Sequence, residues 1–148
     1  MEKIREQYLS ALSAAQRGLE GGGIPIGSAL YCGGTLIATG HNQRVQKSSP
    51  ILHAEIDCLG NAGRPDPKWK GKLVLFTTLS PCYMCAGAAL IYGVSEVVIG
   101  ENKTFAESED LLISKGIRIH QLQDEKTFAM FSDWIRKNPE IWFEDIGR

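Results

Sequence analysis

In the first 20 residues, apolar side chains fall at Ile4, Tyr8, Leu12, Ala15 and Leu19. Steps of three and four place them on one face of a helix. Gly21, Gly22 and Gly23 then end it. The period changes after that. Residues 24–32 read as a strand, Gly33-Gly34 as a tight turn and 35–39 as a second strand, which together make a hairpin signal. A polar loop covers 41–49. Ser49-Pro50 offers a capping hydroxyl followed by proline at a first helical position, predicting a helix over 51–59 that stops at Gly60. Gly63, Pro65 and Pro67 mark 61–71 as loop. An apolar, β-branched strand follows at 73–78. Ser80-Pro81 repeats the helix-opening signal, and that helix runs from Cys82 to about Tyr92. The pattern continues with a strand at 94–100, a short helix at 108–114 and a strand at 117–122. An amphipathic helix over 125–137 stops near Pro139, and 140–148 reads as a tail.

Strand and helix alternate through the second half, which argues for parallel pairing with helices on both faces. The first two strands form an antiparallel hairpin. The expected architecture is a three-layer α/β/α sandwich with a five-stranded mixed sheet. The length, 148 residues, suits one domain over 1–148, and no repeat, linker or low-complexity segment interrupts it.

Composition narrows the function. The chain is 43% hydrophobic and 22% charged, as in ordinary globular proteins, with 16 basic and 17 acidic residues and a formal net charge of -1. Binding a phosphate polymer calls for clustered Lys and Arg. Here the densest basic stretch is Lys68, Lys70 and Lys72. A small, uncharged substrate is expected, with no nucleic-acid partner. No apolar run approaches the roughly 20 residues of a membrane span, and the charged start is unlike a signal peptide. The expected location is the cytoplasm, with no membrane partner. Disulfides are rare there, so the close pair Cys82 and Cys85 reads first as metal-binding or catalytic.

Two fragments carry the chemistry: His53-Ala54-Glu55 and Pro81-Cys82-Tyr83-Met84-Cys85. Cys82 and Cys85 are three apart on a predicted helix, so their thiols face the same way. The positive end of the helix dipole favours the metal-binding thiolate. One imidazole and two thiolates suit Zn²⁺ and leave a fourth position for water, the mark of a catalytic site. Glu55, two residues after His53, is badly placed as a second ligand from that direction. It is better placed to move protons between water and substrate. Hydrolysis of an amidine-like C–NH₂ needs a hydroxide nucleophile, a proton on the ring nitrogen and one on the departing amine. An H-x-E fragment followed by P-C-x-x-C is the signature of zinc deaminases.

Two other readings compete. Cys82-x-x-Cys85 after a strand fits a thioredoxin-like redox pair, but that leaves His53 and Glu55 unexplained. A structural zinc site needs a fourth ligand, for which His41, His120, Cys32 and Cys58 are the free candidates. Cys32 and Cys58 fit equally well as core residues.

Beyond these fragments the chain resembles the cytidine deaminase superfamily, and within it the fungal-type cytosine deaminases. The resemblance rests on Gly23-Ile24-Pro25-Ile26-Gly27, Gly40-His41-Asn42, Thr77-Thr78-Leu79-Ser80-Pro81-Cys82, Ile99-Gly100-Glu101-Asn102 and Trp142-Phe143-Glu144-Asp145-Ile146-Gly147. It implies zinc bound by His53, Cys82 and Cys85, with Glu55 as proton shuttle. It also implies Asn42 on the carbonyl edge of a nucleobase, Asp145 near the exocyclic amine, and Phe105 and Trp142 as pocket walls. Ala54, Ser80 and the backbone around Cys82 would touch the base or hydroxide. The implied reaction is cytosine to uracil plus ammonia, with other amino-heterocycles (isocytosine, guanine, creatinine-like rings) or a tRNA or nucleoside substrate as alternatives. The implied assembly is a homodimer. The fungal pattern has glycine where this chain has Ala54, so the backbone there is less open to a base.

Overall fold

A computed structural model describes residues 1–148. Five strands form one mixed sheet in the order β2-β1-β3-β4-β5. They are β1 (Gly27–Cys32), β2 (Thr35–His41), β3 (Leu73–Leu79), β4 (Glu96–Glu101) and β5 (Arg118–Gln121). β1 runs antiparallel to both β2 and β3, and β3–β4 and β4–β5 are parallel. The expected five-stranded mixed sheet is therefore present. The helices are α1 (Glu2–Glu20), α2 (Ala54–Ala62), α3 (Tyr83–Tyr92), α4 (Glu109–Ser114), α5 (Glu125–Lys137) and α6 (Pro139–Asp145), with one 3₁₀ turn at Pro67–Trp69.

Alternation along the strands sorts side chains onto two faces. Leu75, Val97 and Ile99 face α2, α3 and α4 through Cys58, Leu59, Ala86, Ala89 and Leu112. Phe76, Val98 and Ala29 face the other way, against Tyr8, Ala11 and Leu12 of α1. A third cluster, with Ile24, Ile26, Ala54, Leu79, Phe131, Trp134 and Trp142, closes one end of the sheet. That end holds the carboxyl ends of β2, β3 and β4, the side on which open α/β sheets bind ligands. Here β2 lies directly on α2. A side chain at Gly40 would stand 2.3 Å from the Cys58 backbone nitrogen, so only glycine lets the two elements meet.

Several boundaries differ from expectation. The Ser49 hydroxyl does cap, accepting from Ile51 and Leu52 N–H at 3.4 and 3.2 Å, but only a turn follows. The chain stays extended through His53, which becomes the N-cap of α2, so this helix starts at Ala54 instead of 51. It also passes Gly60 and ends at Gly63. Ser80-Pro81 precedes the helix in the same way: Cys82 is the N-cap of α3, and Gly93 ends the helix in the left-handed conformation. The strand expected from 24 begins at Gly27, because Ile26 N–H turns back to the Ile24 carbonyl at 2.8 Å and Pro25 has no N–H for a ladder. The second strand runs on to His41. The expected tail is mostly helix: Pro139 ends α5 and is also the first residue of α6.

Candidate active site

The α2 and α3 N-termini converge beneath the sheet end, and their N-cap residues are His53 and Cys82. A residue at the N-cap has extended backbone, which turns its side chain away from the helix and across to its neighbour. His53 Nδ1 lies 3.4 Å from Cys82 Sγ and 3.7 Å from Cys85 Sγ. The three donor atoms fall within 4.8 Å of one another and form the one His, Cys, Asp or Glu group of this kind in the chain. No fourth side chain joins them. His41 Nδ1 contacts the Asn42 carbonyl, His120 pairs with Glu96, and Cys58 is buried beneath β2 with its thiol on the Ala38 carbonyl. Burial pushes the Cys58 thiol up to about 12, so it stays protonated.

The electrostatics of this cluster are those of the metal-free protein. Cys82 is lowered to about 4, first by the hydrogen bond from Cys85, then by His53. Cys85 is raised well above its usual value by the same bond and by burial. Burial opposes charge on His53, yet the hydrogen bonds to Asp145 and Cys82 and the charge of Asp145 outweigh it and lift the imidazole to about 10. Metal-free, the site is a thiolate and an imidazolium side by side. One nitrogen and two sulfurs match the donor set of zinc and leave one position open. The His53 Nε2 then carries the proton and faces Asp145 Oδ1 at 3.3 Å, the outer contact that orients a ligand histidine.

Beside this cluster is a small cavity, with about 300 Å³ of space between atoms, part of it open to solvent. Its polar lining includes His53, Glu55, Ser80, Cys82 and Asp145, and its apolar lining includes Ala54, Phe105 and Trp142. Glu55 is 4% exposed. Burial raises its carboxyl to about 7, against the pull of His53, so it can hold or release a proton near neutrality. Ser80 donates its hydroxyl to Glu109 at 2.6 Å, leaving its backbone to face the cavity. Buried Glu101 accepts from the Lys103 and Thr104 N–H groups at 2.8 and 3.1 Å, folding the turn that delivers Phe105. Phe105 then meets Trp142 edge to face, with ring centroids 5.9 Å apart, and Phe131 backs Trp142 at 5.0 Å.

Of the residues expected at the site, two are absent from the cavity wall: Cys85, which belongs to the metal-binding group behind it, and Asn42. Asn42 is fully buried; its Nδ2 donates to both Asp145 oxygens at 3.3 Å and its Oδ1 accepts from the Arg44 N–H at 2.9 Å. Arg44 itself escapes sequence reasoning. Its guanidinium donates to Asp145 at 2.7 Å, to Glu144 at 2.8 Å and to the Pro50 carbonyl at 3.2 Å, tying α6 to the 42–50 loop. Its partners are about a hundred positions away, so no local pattern marks it. Burial pushes the Asp145 carboxyl up, but His53, Arg44 and Asn42 outweigh that and hold it below its usual range. Ile26, Leu79 and Ile146 also line the cavity and are assigned no individual role at the site by sequence reading.

A family model for the cytidine and deoxycytidylate deaminase zinc-binding region matches residues 1–101. The chain belongs to that family. It is 44% identical over 138 residues to cytosine deaminase of Candida albicans, covering 93% of this chain and 92% of that one. It is 33% identical over 103 residues to a tRNA-specific adenosine deaminase of Streptococcus pyogenes, covering 68% of this chain and 65% of the relative. The fold matches guanine deaminase from Nitrosomonas europaea with a TM-score of 0.72 at 23% identity, over 86% and 82% of the two chains. This deaminase is thus a zinc-dependent hydrolytic enzyme with the α/β architecture of its family.

Proposed function

We propose that this deaminase converts free cytosine to uracil and ammonia, as one catalytic domain spanning the 148 residues. The observation that carries the reading is the small cavity shut by α6, where Trp142 and Asp145 stand across from the helix N-termini. Phe105 and Trp142 pack edge to face and wall this space together, so it suits a flat single ring better than a ribose or a polymer. The likeness to a cytosine deaminase over 93% of the chain supports the same substrate.

In this reading His53, Cys82 and Cys85 hold zinc. When bound, zinc lowers the pKa of water to about 7 and so supplies a nucleophile at neutral pH. Glu55 takes one proton from the water and delivers it to the ring nitrogen, then takes the second from the hydroxyl added at the ring carbon and delivers it to the departing amine. Its value near 7 suits both directions of transfer. Asp145, held anionic by Arg44, accepts hydrogen bonds from the exocyclic amine and the ammonia that leaves. Asn42 keeps Asp145 in place and acts on the base through that carboxylate. Ala54 and Ser80 contribute backbone groups, and Phe105 and Trp142 exclude water.

The same reading places the enzyme in pyrimidine salvage in the cytoplasm. Four free cysteines suit a reducing compartment, and no helix is long and apolar enough to cross a membrane. A homodimer fits the outer face of α3, where Ile91 is 91% exposed beside Tyr83 and Met84. No nucleic-acid partner is invoked, since charge is near neutral and Lys and Arg are not clustered.

The test is ultraviolet detection of uracil formed from cytosine by zinc-assayed protein, with Glu55→Gln as control. Turnover by the parent is expected, with the variant slower by at least 10²–10⁴-fold and its zinc unchanged. No turnover by a parent carrying one zinc would overturn cytosine as the substrate. A panel of isocytosine, guanine and creatinine would then identify the ring. Tight, salt-sensitive tRNA binding would instead favour a polymer substrate.

A further inference from the structure

Three consecutive residues outside the cavity grip the turn that carries Cys82. Glu107 accepts the Tyr83 backbone N–H at 3.0 Å. Ser108 donates its hydroxyl to the Pro81 carbonyl at 2.6 Å, and Glu109 accepts the Ser80 hydroxyl at 2.6 Å. Each residue from Ser80 to Tyr83 except Cys82 is thereby bonded to this segment, and Cys82 is the residue whose thiolate is free to face His53. Ser108 is fully buried, so its bond to Pro81 is shielded from water. Glu109 is fixed in turn, because Gln121 at the end of β5 donates to it at 2.7 Å and Asn102 at 3.2 Å. The turn is thus anchored to two other strand ends instead of hanging from β3 alone.

We propose that Glu107, Ser108 and Glu109 are positioning residues for the metal site: they set where Cys82 stands and so how tightly zinc is held. The proposal rests on the assignment of Cys82 as a zinc ligand. Ser108 matters most. Without its hydroxyl the Pro81 carbonyl, one residue before Cys82, loses its buried partner, and the turn relaxes towards water. Outer groups that orient metal ligands typically change affinity by 10–100-fold when removed. Neither an H-x-E nor a C-x-x-C pattern contains this segment.

The experiment measures zinc release from the full chain to a chromophoric chelator, for the parent, Ser108→Ala, Glu109→Gln, Glu107→Ala and Ser114→Ala. Ser114 bonds only within its own helix, to the Leu111 carbonyl, and serves as control. Release is expected to be about 10–100-fold faster in Ser108→Ala, less affected in Glu109→Gln, which keeps an acceptor oxygen, and unchanged in Ser114→Ala. Melting of zinc-loaded and zinc-free protein separates positioning from plain stability. The stabilisation conferred by zinc should shrink in Ser108→Ala, in line with its weaker binding. A parental release rate in Ser108→Ala, or equal destabilisation of loaded and zinc-free forms, would overturn the proposal. If Ser108→Ala does not fold, Glu107→Ala at its exposed position decides by the same two measurements. A parent that takes up zinc but leaves cytosine untouched refutes the substrate reading and leaves this one standing. If Cys82→Ala still holds zinc as the parent does, Cys82 is not a ligand and the proposal falls with that assignment.

Discussion

The floor of the cavity and its far wall are built by different means. The floor is two helix N-termini, where His53, Glu55, Cys82 and Cys85 lie within a few positions of a cap. Short stretches of chain determine it, and backbone geometry does most of the aiming. The wall is α6, held by aromatic packing on Phe131 and by the Arg44 pairs across about a hundred residues. Nothing local determines where it sits. Its position is a result of the whole fold. Under the proposed function the difference would divide the labour, the floor setting the reaction and the wall setting which ring is admitted.

If that division holds, damage to the floor should remove chemistry and metal together. Cys85→Ala is expected to abolish turnover on every amino-heterocycle and to drop zinc well below one equivalent by elemental analysis. Retention of full zinc would break the comparison. The next effect is on metal uptake. At pH 7.5 the metal-free His53, raised to about 10, still carries a proton, and so does Cys85. Zinc must displace both, so binding releases about two protons and the affinity climbs about 100-fold per pH unit near neutrality. Calorimetry in buffers of different ionisation heat counts them. The sign for folding alone runs the other way. Stability from the raised imidazole is complete below pH 6.5 and is lost as pH rises through about 10.

Damage to the wall should leave zinc in place. Trp142→Ala removes a 5%-exposed indole from the Phe105 and Phe131 cluster and is expected to destabilise by about 3–5 kcal/mol. Cytosine KM should rise with zinc still at one equivalent; a parental KM would mean α6 does not select the ring. Arg44→Ala is milder, costing about 2 kcal/mol in chemical denaturation for the charged hydrogen bonds it makes. It should also raise the Asp145 carboxyl. Stability contributed by that carboxylate exists above the ordinary value near 4 and is lost as pH falls through the folded value, so the acid transition of the variant should move to higher pH.

The same division governs what the sequence alone discloses. The helix over Glu125–Lys137 matches its 3.6-residue pattern to the residue, and the metal-binding group is the one that spacing implied. Both are local. The start of α2 is misjudged because Ser49-Pro50 satisfies every rule for opening a helix, yet the chain uses it for a turn and keeps His53 extended as the cap. Tertiary demand for an imbedded imidazole overrides a local signal. α6 is hidden because one proline both stops a helix and starts the next. Arg44 is invisible for the plainest reason: an arginine in a polar loop looks solvated until its carboxylates arrive from the other end of the chain.

The thiolate at Cys82 has a practical consequence. A sulfur that Cys85 and His53 hold as thiolate, at a helix N-terminus and close to a second thiol, is open to alkylation and oxidation whenever the metal is gone. Alkylating agents and peroxide would find it first, and oxidation of the Cys82–Cys85 pair would shut zinc out. Bound zinc therefore acts for this enzyme as a protecting group does in synthesis. Ageing of stored protein should follow metal loss, and chelators should hasten it more than heat does.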